Sequence, residues 1–404
     1  MIALVFRSIN PVKKSENIAA FKYLLTVLKC DTKKNNYVVY FADFEGNKEI
    51  LIDNFKKFDN LILKPIKYHT YSFLLHTPIV KRFIHALWHK KVVKEIQRNP
   101  QTKFIHIVNT INFDCISLDY LNLNLPVLWG PIEGAVNIST KILASCSSFK
   151  SFPLIYFFNF INQFYFRHSF KIKKAISNYK IISGSRLMSK AILKFHNKEV
   201  ITLSDTCISA LKVSKSLKIK SIDKIKLNLV WIGDLTIRKN LYFIIDVMKI
   251  INNKNVNLFI CGNGKKNKIN KLKEKIKNYS NIHFLGFLNN KELDELLLRS
   301  DFSIFSSLRD AHTNAFTDSL ESLTPMILND NIGAEDFYDT NELKYNLKDR
   351  KNLAVLINKI SNKKYDNTKY IEWYSEVLDY LGTKSNEYTF NFRFSVINKF
   401  YNEL

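Results

Sequence analysis

A chain of 404 residues, 46% apolar and 13% aromatic, has material for two hydrophobic cores and shows no sign of a disordered tail. Its 61 Lys and Arg against 36 Asp and Glu leave a formal charge of +25, which favours phosphorylated substrates, anionic lipid or nucleic acid as partners. An AT-rich coding sequence would also enrich Lys, Asn, Ile, Phe and Tyr, so charge alone selects none of them. Cys30, Cys115, Cys146, Cys207 and Cys261 are scattered and form no CxxC pair, which argues against a disulfide framework or a zinc site and for a reducing cytoplasm.

The opening MIALVFRSINPVKK places lysines after a short apolar run, which reads as a first buried strand and not as a secretory signal. No run approaches the roughly eighteen apolar residues needed to span a bilayer. Strand-like runs follow at 2–6, 37–41, 104–108, 126–129, 180–183 and 200–203, with helical stretches at 16–29, 79–97 and 186–196. Residues 208–226 lose the apolar pattern, are rich in Lys and Ser, and read as a linker.

Beyond it, strands are predicted at 227–233, 255–262, 281–286, 301–307 and 325–328. Helices are predicted at 240–252, 268–278, 291–299, 314–323, 350–362 and 366–380. This alternation predicts an α/β protein with two Rossmann-like parallel-sheet domains facing a cleft. The expected domains are 1–207 and 227–380, with 381–404 a C-terminal helix returning to the N-terminal domain.

Candidate chemistry concentrates in SIFSSLRDAHTNAFTDSLESLTPMIL, at 303–328. Asp310 falls just past an apolar strand, and Asp318 sits eight residues on, inside a helix. Between them, Thr313, Asn314 and Ala315 open that helix, and first-turn amides bind anions. Carboxylates flanking such a start suit a ligand with phosphates in the middle and hydroxyls at both ends, as in a nucleotide sugar. An acidic turn at an ordinary strand-to-helix junction is the plainer reading.

Gly233 ends a strand, and Arg238-Lys239 then opens a helix, where two cations are unfavourable unless an anion is near. That arrangement suits a diphosphate clamp, or a surface basic pair. Gly262 and Gly264, in CGNG, let a backbone approach a flat ring, although the run is too short for a dinucleotide fingerprint. His106 interrupts the strand FIHIV, as a core histidine or a functional one. Gly130 and Gly134, in LPVLWGPIEGAVN, follow a strand, as in a tight turn or a close approach to a ligand. There is no GxSxG, no HExxH, no metal-spaced Cys or His cluster and no DxD, for which Asp43-Phe44-Glu45 is the nearest approach.

The order WIGDLTIRKNLYFIIDVM, NVNLFICGNG and NIHFLGFLNNKELDELLLRSDFSIFSSLRDAHTNAFTDSLESLTPMIL resembles the C-terminal domain of glycosyltransferase family 4, the retaining group-1 glycosyltransferases of the GT-B fold. Residues 125–137 resemble that family's GPIGG loop, and LSDTCIS at 203–209 is similar to its ETG segment. The family's E-x7-E acids map onto Asp310 and Asp318. The resemblance implies that Asp310 holds donor-sugar hydroxyls and Asp318 the ribose. The family's phosphate-binding Arg and Lys fall at 234 and 239, so Lys239 matches, Asp234 does not, and Arg238 substitutes.

Further donor contacts implied are Gly233, Gly262, Gly264, Leu288, Ala311, His312, Thr313, Asn314 and Ala315. His106 matches the family histidine or its neighbourhood in the N-terminal domain, and Gly130, Glu133 and Gly134 form the acceptor-side loop. Departures are Glu133 for a usual glycine, Leu323 at the usual helix-end glycine, and Lys13-Lys14 near the N-terminal glycine loop.

The implied reaction is metal-independent, retaining transfer of a sugar from a nucleotide diphosphate sugar to a glycan or glycolipid acceptor in O-antigen, capsule or lipopolysaccharide assembly, without a cofactor. Residues 72–94 and 149–174 mix aliphatic or aromatic and basic residues, as on a helix lying on an anionic membrane, so a peripheral position on the cytoplasmic face of the inner membrane is expected. Rival readings are a nucleotide-sugar epimerase or hydrolase, a weakened sugar-nucleotide-binding subunit, and a basic nucleic-acid binder, for which no motif exists.

Overall fold

The computed structural model describes residues 1–10, 16–43, 47–68, 78–108, 112–135, 137, 152–310, 313–329 and 341–402. Two α/β units emerge, one built on residues 1–137, 157–207 and 390–404, the other on 208–389 together with 138–156, of which 152–156 are described.

In the first unit, seven parallel strands carry the doubly wound order β3-β2-β1-β4-β5-β6-β7. They are β1 (Ile2–Phe6), β2 (Tyr37–Asp43), β3 (Leu61–Lys67), β4 (Phe104–Ile107), β5 (Val127–Ile132), β6 (Lys180–Ser183) and β7 (Ile201–Thr202). Side chains alternate across the pleat, so Ile2, Leu4 and Phe6 join one core while Ala3 and Val5 join another. The first core holds α1 (Glu16–Cys30), α2 (Asn47–Phe55) and α14 (Phe390–Tyr401). On the opposite face lie α3 (Pro78–Gln97), α4 (Phe152–His168), α5 (Phe170–Asn178) and α6 (Arg186–His196). Burial on both faces explains why these strands read as continuous apolar runs.

The second unit repeats the plan with six parallel strands in the order β10-β9-β8-β11-β12-β13. Its strands are β8 (Leu227–Ile232), β9 (Val256–Cys261), β10 (Ile282–Gly286), β11 (Phe302–Ile304), β12 (Met326–Asn329) and β13 (Lys344–Tyr345). The helices are α7 (Lys215–Ser221), α8 (Leu241–Ile251), α9 (Lys266–Ile276), α10 (Asn290–Arg299), α11 (Asn314–Glu321), α12 (Arg350–Lys363) and α13 (Asn367–Ser385). Local chemistry sets their ends. Asn289 and Glu292 form a capping box on α10, and Ser185 caps α6, which Asn197 terminates in the left-handed region at φ 50. In each sheet the strand order reverses beside the first strand, between β1 and β4 and between β8 and β11. Ligands of such folds bind outside the carboxyl ends of strands at that switch point.

Three features differ from the sequence reading. Strand β3 and helix α2 were not predicted, because LILKPIK lies at the sheet edge with mostly half-buried residues and no clean alternation. Residues 208–226, read as a linker, are built into the second unit. Ile208 and Ile222 enter the second core, and α7 carries a fully buried Lys218. The Lys218 ammonium donates to the carbonyls of Leu297 at 2.5 Å, Leu298 at 3.2 Å and Ser300 at 2.6 Å, and to Thr324 Oγ1 at 3.0 Å. Those carbonyls end α10, where a cation meets the helix's C-terminal acceptors, and that is what lets a lysine be buried. Finally, residues 381–385 finish α13 in the second unit, and only Phe390 onward belongs to the first.

Candidate functional site

At the switch point of the second sheet, the loops after β8 and β11 are stitched together. Trp231, the penultimate residue but one of LNLVWIG, donates Nε1–H to Ser306 Oγ at 3.0 Å. The Ser306 hydroxyl in turn donates to the Lys239 carbonyl at 2.7 Å, and the Leu308 amide donates to the Arg238 carbonyl at 2.8 Å. Asn329, at the end of β12, donates Nδ2–H to the carbonyls of Phe305 and Ser307, each at 3.1 Å. The Tyr345 hydroxyl donates to the Phe305 carbonyl at 2.6 Å. These bonds hold residues 305–310 against a single-turn helix, Ile237–Lys239, which Asn240 closes in the left-handed region at φ 51.

That framework brings three of the sequence candidates together. Arg238 Nη1 lies 2.6 Å from Asp310 Oδ1, and Lys239 Nζ lies 2.6 Å from Asp310 Oδ2. One carboxylate therefore bridges two cations by short, charge-assisted bonds. Lys239 and Asp310 are 13% and 14% exposed, whereas Arg238 is 47% exposed, so the cluster has a sheltered side and an open one. Burial pushes the Asp310 carboxyl up, but Lys239 and Arg238 more than offset it and hold it below the usual carboxylate value. Burial is also the chief influence on Lys239 and holds its ammonium below the usual lysine value, against the opposing pull of Asp310. Asp234 is exposed and adds a weaker attraction to Lys239.

Helix α11 begins beside this cluster. Thr313 caps it, its hydroxyl accepting from the Phe316 amide at 3.3 Å. By helix geometry the Asn314 and Ala315 amides have no intrahelical acceptor. Asp318 is half-buried on the same helix. Leu323, expected at a glycine position, does take the left-handed conformation, at φ 46. Ala311 and His312 lie outside the described residues, as do Lys13, Lys14, Phe44 and Glu45.

The glycines of this region serve close packing, Gly262 against backbone and Gly233 and Gly264 against side chains. A Cβ on Gly262 would lie 1.8 Å from the Gly233 carbonyl oxygen, and one on Gly264 would lie 2.8 Å from Leu235 Cβ. Gly233 itself leaves room for the Trp231 ring, 3.1 Å from where its Cβ would be. Leu288 is half-buried against the small cluster of Val230, Cys261, Leu296 and Leu297.

His106 is corrected. It is fully buried in the first unit, with Nε2 donating to the Gly130 carbonyl at 3.0 Å and Nδ1 accepting from the Tyr401 hydroxyl at 2.9 Å. Both ring nitrogens are spent on the core, and burial lowers its pKa to about 4. These are the surroundings of a structural histidine. Gly130 is required because a Cβ there would meet the Ile182 carbonyl at 2.2 Å. Gly134 sits at φ 101, its carbonyl accepting from Asn162 at 2.7 Å. Glu133 is buried, its side chain lying where a Cβ on Gly184 would come within 2.8 Å of its Cγ.

Sequence reasoning missed Trp231, Ser306, Ser307, Asn329 and Tyr345. Polar residues closing apolar strands, as in SIFSS and PMILN, were the available signal.

Two doubly wound parallel-sheet units are the GT-B fold, which the chain shares with the solved structures named below. Residues 213–373 match the family model described as glycosyl transferases group 1, which is what that segment is similar to. Solved structures agree in fold over the whole chain. HepE from Anabaena, in complex with UDP, is 12% identical with a TM-score of 0.65, covering 100% of both chains. Sucrose-phosphate synthase from Thermosynechococcus elongatus is 12% identical with a TM-score of 0.66, covering 100% of this chain and 98% of the other. WaaG, a glycosyltransferase involved in lipopolysaccharide biosynthesis, is 13% identical with a TM-score of 0.58, covering 98% and 99%. No curated protein sequence matches the chain.

Proposed function

We propose that the protein is a metal-independent, retaining glycosyltransferase that moves a sugar from a nucleotide diphosphate sugar to a glycan or glycolipid acceptor during surface polysaccharide assembly. The observation that carries this reading is the Arg238–Asp310–Lys239 cluster at the switch point beside the start of α11. In the proposed reaction the bond from the anomeric carbon to the diphosphate breaks, and its electron pair goes to the phosphate oxygen. The acceptor hydroxyl bonds to the same face of that carbon, and its proton passes to the departing phosphate. Arg238, Lys239 and the amides of Asn314 and Ala315 stabilise the charge as it develops. Asp310 positions sugar hydroxyls and Asp318 holds the ribose.

The complexes of HepE with UDP and with UDP-glucose support a uridine nucleotide donor. The lipopolysaccharide role named for WaaG supports a surface-polysaccharide product, of which O-antigen, capsule and outer core are the members in view. Among the described residues no helix is long and apolar enough to cross a membrane. The proposed site of action is the cytoplasmic face of the inner membrane, reached peripherally.

Thermal-shift titration with UDP-, GDP- and ADP-sugars tests the donor site. One donor class is expected to raise the melting temperature of the wild type and not of Asp318→Ala. If no donor stabilises either protein, the reading fails. Turnover unchanged by EDTA is the accompanying expectation, and strict manganese dependence would refute the metal-free mechanism.

A further inference from the structure

On the first unit, the edge strand β3 and the last turns of α3 enclose a concavity of about 490 Å³. Its described lining carries five cations, Lys64, Lys67, Lys91, Lys94 and Arg98, against one acid, Glu95. Glu95 is already taken up in an ion pair with Arg98. Lys91 and Lys94 lie on one stripe of α3 and Arg98 follows directly after its end, at spacings of three and four, and like charges so placed on a helix are destabilising. Facing them, Lys64 Nζ lies 5.9 Å from the Tyr40 ring centre, and Lys91 Nζ donates to the Lys67 carbonyl at 3.4 Å. Those two lysines are half-buried, so their stems are held while their charges remain in the concavity.

Simpler causes cover only parts of this cluster. Lysines on an edge strand block unwanted strand pairing, which accounts for Lys64 and Lys67. Cations at a helix's C-terminal end complement its dipole, which accounts for Lys94 in the last turn and Arg98 just past it. Neither gathers both sets, with Lys91 between them, around one concave surface that holds a single compensated carboxylate.

We propose that this groove is a second anion site, one that binds a phosphate-bearing ligand. Its recognition is independent of the donor cluster, which lies in the other unit. The same chemistry is offered by a free phosphorylated solute and by the headgroup of an anionic phospholipid. A diphosphate or phosphodiester would draw on several of these cations at once, and its binding should weaken as salt rises.

The test is calorimetric titration in a Lys239→Gln background, which weakens the donor cluster's own anion affinity. One arm uses inorganic pyrophosphate, the other dihexanoyl phosphatidylglycerol below its micelle concentration. Binding in at least one arm is expected, with a loss of about tenfold or more when Lys64, Lys91 and Lys94 are all changed to Gln. Pyrophosphate alone identifies a soluble ligand, and phosphatidylglycerol binding identifies a lipid headgroup. Lys94→Glu, a single change at an exposed position, repeats the test should the triple variant not fold. No binding in either arm, or binding that neither variant weakens, overturns the proposal.

Discussion

Asp310 occupies both cations of the proposed diphosphate clamp, so an incoming donor must exchange one carboxylate for its phosphates. Burial and charge pull that residue in opposite directions, and the two cations prevail. Removing the charge while keeping the shape should separate binding from chemistry. In Asp310→Asn, UDP, which has no sugar for residue 310 to hold, is expected to bind several-fold more tightly, because Arg238 and Lys239 lose their internal counter-ion. Sugar transfer should fall by about 100-fold or more, because the group that positions the sugar is altered. Isothermal titration with UDP and a transfer assay read the two effects, and weaker UDP binding would contradict the exchange. The spacing of Asp310 and Asp318 was legible in the sequence. Its partners were not, because Arg238 and Lys239 lie 72 and 71 residues earlier. His106 stood out equally in the sequence, yet Tyr401, 295 residues away, and Gly130 make it a core residue.

At the scale of elements, α7 shows how a polar segment can belong to a core. A stretch rich in Lys and Ser gave no apolar period to read, and only the exposed carbonyls at the end of α10 explain where Lys218 goes. Burial lowers its pKa to about 7, with Asp301 opposing the shift and Lys364 adding to it. The unfolded chain keeps this lysine protonated up to about pH 10.4, so between about pH 7 and that value the unfolded state binds more protons. Stability from this group therefore rises with pH across that window and is flat below it. Lys218→Met should abolish that rise. It should also destabilise the second unit at pH 7 by about 3–5 kcal/mol, since the ammonium's bonds to the carbonyls of Leu297, Leu298 and Ser300 are all lost at once. Urea unfolding at a series of pH values measures both, and an unchanged pH slope would refute the assignment.

For the whole molecule, the distribution of aromatic residues bears on where it works. Helix α4 turns Asn159 and Phe166 inward, with Asn162 donating to the Gly134 carbonyl at 2.7 Å. Outward it shows Phe157, Phe160 and Phe164, each more than half exposed. Arg167, near the end of α4, and Lys174, on α5, are exposed. Aromatics outside and amides inside suit a helix whose outer face meets lipid, with basic residues at the headgroups. Changing the three phenylalanines to Ser is expected to reduce flotation with phosphatidylglycerol vesicles about tenfold or more, while leaving the melting temperature within a few degrees. Retained flotation would remove α4 from the membrane question.

Residue order alone determined that this chain forms two α/β units with parallel sheets, because apolar period and strand length depend on neighbours a few positions apart. It also carried the eight-residue spacing of the two acids and the helix start between them, which are local features of one strand-to-helix junction. Only the tertiary structure decided that one acid bridges two distant cations, that a lysine of the supposed linker is buried, and that a strand histidine serves the core. Those outcomes rest on which strands become neighbours, and strand order brings together groups that no short window of sequence relates.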